Sequence, residues 1–266
     1  MMVGEFFEKE KIEYFAILPY EICKETKGYL ISREGFTAKS VIIYLLPYYT
    51  GEAENLSLYA TSLDYHIAIS EINSRLIEFL KGKFPENHYK GYGDHSPIDE
   101  RHAALIGGLG ILGENRLLIN EKYGTYVFIG ELVTDVPTNL LGESKITDIR
   151  RCEGCSLCKR ACPTGILRNE GKVCLSAITQ RRGELSENDV DLMRKFNTVW
   201  GCDLCQSACP HNKNPKLTPL EFFYKDRISK LSSDTISAMT DDEFSKRAFS
   251  FRGRATVERN LKKLGY

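Results

Sequence analysis

Along the first part of the chain, apolar residues fall into two spacings. Residues 12–18 (IEYFAIL) and 41–47 (VIIYLLP) are short, nearly continuous apolar runs, rich in aromatic and β-branched side chains, and predict strands. From about 59 to 82 the spacing changes to three and four, with Tyr65, Ile69, Ile72, Leu76, Phe79 and Leu80 forming one stripe, and predicts a helix buried on that face. A second short helix is expected from about Pro97 to Ile106. RLLINEKYGTYVFIGELVTDV then predicts two strands joined by a turn at Glu121 to Gly124.

Between the second helix and those strands lies GLGILG, Gly108 to Gly113, which satisfies G-x-G-x-x-G. A dinucleotide fingerprint follows a strand and opens a helix. This one follows a helix and leads into a strand, so a turn built on positive φ is the expectation, or a close approach of backbone to a flat cofactor.

The cysteines change the picture. Cys152, Cys155 and Cys158 are followed by Cys162-Pro163, the C-x2-C-x2-C-x3-C-P run of bacterial ferredoxins. Cys174 stands alone, and Cys202, Cys205 and Cys209-Pro210 repeat the end of the run. Eight thiolates suffice for two four-iron clusters. In two-cluster proteins the fourth cysteine of a run serves the other cluster. Cys152, Cys155, Cys158 and Cys209 are therefore expected on one cubane, and Cys162, Cys174, Cys202 and Cys205 on the second. Structural zinc, the alternative, ordinarily pairs two C-x2-C units across a longer loop and fits the tight triplet poorly. Cys23 remains, and is expected as a small buried residue.

Composition narrows the setting. Lys plus Arg and Asp plus Glu are 36 each, so no global field draws the chain to nucleic acid or membrane. The N-terminus interleaves charge with apolar residues, and no run approaches the roughly 18 apolar residues of a membrane span. A cytoplasmic protein with no membrane partner is the expectation, its thiols reduced unless metal holds them.

The order of these features carries a resemblance. DHSPIDER from Asp94, then GGLGILGENRLLI, KYGTYVFIGEL, the eight cysteines and GCDLCQSACPHN together resemble epoxyqueuosine reductases, cobalamin-dependent iron–sulfur enzymes of tRNA modification. More distantly they resemble the core of corrinoid reductive dehalogenases. LYATSLDYH at 58–66 and the final AFSFRGRATVERNLKKLGY extend the likeness through most of the chain.

The resemblance implies an α+β protein. An N-terminal α/β corrinoid-binding, reductase-like domain (1–145) would precede a mostly helical, ferredoxin-like domain with two [4Fe-4S] clusters (146–215) and a basic helical segment (216–266). It implies Asp94 as proton donor and cofactor contact, with cobalamin held near Leu118 and Ile129 and approached by Ser176 and Asp203. The plainer reading of Asp94 is a cap for the turn before Pro97 and the helix beyond it. His66, His95 and His211 are expected as ordinary polar neighbours rather than ligands.

The sequence also departs from the family. Ile111 and Glu114 stand where it typically has Trp and Lys, and the chain reads as a short member without the helical-repeat domain that follows the Arg-rich segment. Lys246, Arg247, Arg252, Arg254, Arg259, Lys262 and Lys263 would either contact phosphates or form a solvated helix face. A reductase acting on the epoxide of epoxyqueuosine in tRNA, fed by an unidentified electron donor, is thus the leading expectation. The alternatives are a non-catalytic electron-transfer module, or a corrinoid reductase for another substrate. Oligomeric state has no signature.

Overall fold

A computed structural model describes residues 2–169 and 173–266. The chain divides into two compact units, residues 1–47 with 66–153, and residues 48–65 with 154–266. The boundaries expected at 145 and 215 do not coincide with this division. The basic tail folds inside the second unit, and 48–65 leaves the first.

The first unit contains α1 (Met2–Lys9), β1 (Phe15–Pro19), α2 (Tyr29–Glu34), β2 (Ser40–Pro47), α3 (Tyr65–Lys81, whose first residue falls in the second unit), β3 (Tyr89–Tyr92), α4 (Glu100–Ile106), β4 (Ile111–Leu112), β5 (Leu118–Ile119), β6 (Val127–Thr134) and α5 (Thr138–Leu141). Four strands make one sheet in the order β1-β2-β6-β3, every neighbour antiparallel. No βαβ crossover is needed, so this unit is itself α+β.

β2 is buried along its whole length, which explains its continuous rather than alternating apolar run. Tyr44 faces α1 and α3, with its ring 5.3 Å from that of Phe7 and its hydroxyl donating to Asn73 Oδ1 at 3.0 Å. Val41, Ile43 and Leu45 pack with Ala103 to Ile106 of α4. Each such side chain stabilises the fold by about 1.5–3 kcal/mol. Cys23 is 7 % exposed and belongs to this core, as expected.

Three predicted elements shift. The first strand begins only at Phe15. The long helix begins at Tyr65, because 55–64 is engaged elsewhere: Ser57 N–H donates to Trp200 O at 2.7 Å and Asp64 N–H to Lys246 O at 2.8 Å. α4 begins at Glu100 because Asp99 caps it, accepting the His102 N–H at 3.0 Å. The cap expected of Asp94 is therefore made five residues later.

The two strands predicted on either side of the turn part company. Asn120 and Gly124 exchange two backbone hydrogen bonds, so the turn forms. Beyond it β5 pairs with β4, whereas β6 pairs with β2 and β3. Leu118 and Ile119 bury against the glycine turn, and β6 is long and apolar enough to take a central place in the sheet.

The second unit contains α6 (Leu157–Ala161), α7 (Leu175–Thr179), α8 (Glu187–Lys195), α9 (Leu204–Ser207), α10 (Ser233–Ala238), α11 (Asp241–Ser245) and α12 (Arg254–Leu264), with short 3-10 turns between them. Trp200, Phe249, Leu231, Ile236, Val257 and Leu261 are buried in its main core, joined by Leu56. Asn260, fully buried on α12, donates to Thr179 O at 2.7 Å and Val199 O at 2.8 Å, closing backbone groups that water cannot reach. Among the described residues no helix is long and apolar enough to cross a membrane.

Candidate functional site

The cysteine segments fold as short helices whose ends are set by the cysteines and their prolines. Cys162 ends α6 in an extended conformation before Pro163, Cys174 precedes α7, and Cys209 precedes Pro210 at the start of a 3-10 turn. In the second unit α6 packs against α9.

Burial pushes the thiols of Cys202 and Cys205 up to about 11 and about 12 respectively. The negative charges of Cys174 and Cys162 push both in the same direction, as does Cys202 on Cys205. The four cysteines expected on the second cubane thus lie within one another's electrostatic reach. Their mutual repulsion as thiolates is what iron removes on binding.

Cys162 is an exception with a cause. Burial raises its thiol, but the N–H groups of Leu167, Thr164 and Gly165 and the Thr164 hydroxyl outweigh that and hold it below the usual range. Hydrogen bonds to a ligand sulfur are a recognised determinant of cluster potential. The donor set, all thiol and spread over two repeats, fits four-iron clusters.

Cys152 belongs to the first unit, where the glycine turn holds it. Its N–H donates to Leu112 O at 3.0 Å, and its Sγ accepts the Glu114 N–H at 3.3 Å. Gly113 permits this packing, since a Cβ there would lie 2.3 Å from Asn115 Oδ1 and 3.0 Å from Ile119 Cδ1. The G-x-G-x-x-G match therefore cradles a cysteine.

Asp94 sits on a loop of the first unit with φ +59°, in the left-handed region. Its side chain is 58 % exposed. His66 Nε2 lies 3.6 Å from Asp94 Oδ2. A cleft of about 270 Å³ opens beside them, lined by His66, Ile69, Asn73, Tyr92 and Gly93 among others. His95 turns to Lys27, 3.2 Å from its Nζ, and His211 is exposed.

Sequence reasoning missed two acids on this loop's inner side. Glu100 Oε2 accepts the Asp94 N–H at 3.1 Å, and Glu131 Oε2 accepts the Ser96 hydroxyl at 2.7 Å. Burial raises Glu100 to about 7, with the Asp94 charge adding to it, and raises the fully buried Glu131 to about 8. A lone acid inside the apolar run VFIGELVT was the available signal.

The expected cofactor contacts divide. Ile129 is half-buried on β6, and β3 pairs only with Glu131 to Thr134. The Val127–Gly130 half of β6 consequently has no β3 neighbour, which suits a cofactor held by main chain. Leu118 is 4 % exposed with its side chain in the core, so only its backbone suits the same purpose. In the second unit Ser176 Oγ accepts from Gln180 Nε2 at 3.0 Å. The Asp203 carboxylate accepts from the Ser57 hydroxyl, the Leu58 N–H and Gln206 Nε2, and so anchors the 48–65 segment.

Much of the C-terminal basic set is structural. Arg247 donates to Asp226 O, Arg254 to Ile236 O and Met239 O, and Arg259 to Arg181 O and Gly183 O. Lys246 pairs with Asp242.

Residues 151–212 match the family model of the 4Fe-4S double cluster binding domain. The chain is 31 % identical over 208 residues to an epoxyqueuosine reductase of Listeria monocytogenes, covering 74 % of this chain and 53 % of that protein. It is 32 % identical over 220 residues to one of Cyclobacterium marinum, covering 79 % of this chain and 69 % of the relative. Against the first of these it spans about half the relative's length. Among solved structures, an epoxyqueuosine reductase with an epoxyqueuosine-modified tRNA-Tyr stem loop matches at a TM-score of 0.76 and 24 % identity, covering 98 % of this chain and 80 % of that one.

Proposed function

The chain belongs to the epoxyqueuosine reductase family, and from that premise we propose that it reduces the epoxide of epoxyqueuosine in tRNA. Removing the epoxide oxygen as water takes two electrons and two protons. When bound, the two four-iron clusters would relay single electrons and cobalamin would deliver them to the substrate carbon. Cys152, Cys155, Cys158 and Cys209 would hold one cluster and Cys162, Cys174, Cys202 and Cys205 the other. The open half of β6 around Ile129, with the backbone at Leu118, would receive the corrinoid.

Asp94 supplies a proton to the departing oxygen, because a strained C–O bond breaks more readily when its oxygen is protonated. The observation that carries this reading is the setting of Asp94: an exposed carboxyl on a pinned loop, 3.6 Å from His66 and beside a cleft. His66, 3.6 Å from that carboxyl, would pair with it when protonated. The tRNA-Tyr stem loop bound by the solved relative is the model for the substrate.

The test is anaerobic reconstitution with iron, sulfide and cobalamin, followed by an absorption spectrum and mass analysis of an epoxyqueuosine-containing tRNA-Tyr stem loop. The expected result is a corrinoid spectrum and loss of one oxygen from the modified base. Asp94→Asn should reduce turnover by about 100-fold or more while leaving the absorption spectrum unchanged. A protein that takes up both clusters but binds no cobalamin would overturn the proposal in favour of a pure electron-transfer module.

A further inference from the structure

The loop carrying Asp94 is fastened by two carboxyl groups that the proposed chemistry leaves without a task. At one end the Asp94 N–H donates to Glu100 Oε2 at 3.1 Å. Two residues on, the Ser96 hydroxyl donates to Glu131 Oε2 at 2.7 Å while its oxygen accepts the Ile98 N–H at 3.1 Å. The two acids come from elements that are themselves held. Glu100 opens α4 directly after its Asp99 cap, and Glu131 lies on β6, paired to Ile43 on one side and Tyr92 on the other.

Two features mark these acids as more than filling. Glu131 is fully buried, and its Oε1 has no hydrogen-bond partner, so the side chain carries the cost of an unpaired buried oxygen. An apolar residue would avoid that cost, and what it would forfeit is the bond to Ser96. Second, Asp94 is a non-glycine residue at φ +59°, in the left-handed region that aspartate enters more readily than most residues but still at some cost. The Glu100 bond acts on the very N–H whose torsion is unusual.

We propose that Glu100 and Glu131 are positioning residues that clamp the Asp94 loop, Glu100 through the backbone of Asp94 and Glu131 through Ser96, so that the Asp94 carboxyl is presented in one geometry. The catalytic meaning of the clamp rests on the acid role proposed for Asp94; the clamp itself does not. Because both acceptors are side-chain oxygens, a carboxamide can replace a carboxyl in the bond, whereas a methyl group cannot.

The experiment is hydrogen exchange by mass spectrometry on the cluster-loaded chain, following peptides that span 92–98, for Glu100→Ala, Glu100→Gln and Ser96→Ala. Glu100→Ala and Ser96→Ala should each lower protection of the loop amides by about tenfold. Peptides from β2 and β6 and the cluster absorbance should be unchanged, and Glu100→Gln should restore loop protection. Ser96→Ala leaves α4 and its Asp99 cap as they are and serves if Glu100→Ala fails to fold. Loop protection equal to that of the parent in both variants overturns the clamp, as does a Glu100→Gln protein as loose as Glu100→Ala.

Turnover separates the clamp from the reading beneath it. With the reconstituted enzyme, Glu100→Ala should lower kcat with KM unchanged; a loosened loop with kcat intact overturns the positioning role. Full turnover by Asp94→Asn would remove the acid role of Asp94, while the exchange data would still decide the clamp.

Discussion

The backbone N–H of Glu114 points at the sulfur of Cys152, 3.3 Å away, and the Cys152 N–H returns to Leu112 O at 3.0 Å. A glycine turn that matches a nucleotide-binding pattern is thereby tied to the first cysteine of the ferredoxin run. The turn contributes its N–H whatever the side chain at 114, so the Lys-to-Glu departure from the family leaves this contact in place.

Gly113→Ala should disturb that tie. The added Cβ would lie 2.3 Å from Asn115 Oδ1, 3.0 Å from Ile119 Cδ1 and 3.2 Å from Leu117 O, so the turn must shift. A cost of about 1–3 kcal/mol is expected. Anaerobic reconstitution should yield fewer iron atoms per chain than the parent, with the loss confined to the cluster that contains Cys152. Full iron loading with unchanged spectra would show that the turn does not support the ligand.

The two ligand sets can be separated by single substitutions. Cys209→Ala should give the same residual electron paramagnetic resonance signal as Cys152→Ala. Cys162→Ala should instead match Cys205→Ala. Each should retain about half of the iron, since each cubane has its own four thiolates. Pairing of the Cys209 signal with that of Cys162 would reverse the assignment.

Glu131 makes stability depend on pH in an unusual direction. Burial raises its carboxyl to about 8 from an unfolded value of about 4.5, the nearby Glu100 adding to the rise and the Ser96 hydrogen bond opposing it. The folded chain therefore keeps a proton that the unfolded chain releases. Its contribution is fullest below about pH 4.5 and is lost as pH climbs to about 8, by up to roughly 4–5 kcal/mol. Glu100, raised to about 7, acts with the same sign. Denaturant melts of Glu131→Gln should show a shallower decline from pH 5 to 8 than the parent; identical slopes would refute the assignment.

Asp203→Ala should destabilise the second unit rather than abolish metal binding. It would strand the Leu58 N–H and the Ser57 hydroxyl, both now donating to the carboxylate. A loss of about 1–3 kcal/mol is expected by thermal melting of the loaded protein, with iron content retained. Loss of cluster iron without loss of melting temperature would point instead to a role at the clusters.

Four-iron chemistry was legible because the spacing that signals it is local: thiolates two and three residues apart, closed by a proline, suit the corners of a cube. β2 was equally legible from the apolar run 41–47, which is buried along its length. Other features depended on segments far apart in sequence. The pattern predicted a strand on either side of the 121–124 turn but not their partners, because pairing depends on which edge each strand can bury. Likewise, nothing near Leu56 to Asp64 signals that Trp200, Asp203 and Lys246 take up its backbone groups. The acids behind Asp94 are the sharpest case. Glu100 and Glu131 are 31 positions apart, and only the packing of α4 over β6 brings them behind one loop, in a setting dry enough to raise both carboxyls. Residue spacing determined which metal chemistry this chain can hold, and tertiary packing decided how its candidate acid is held.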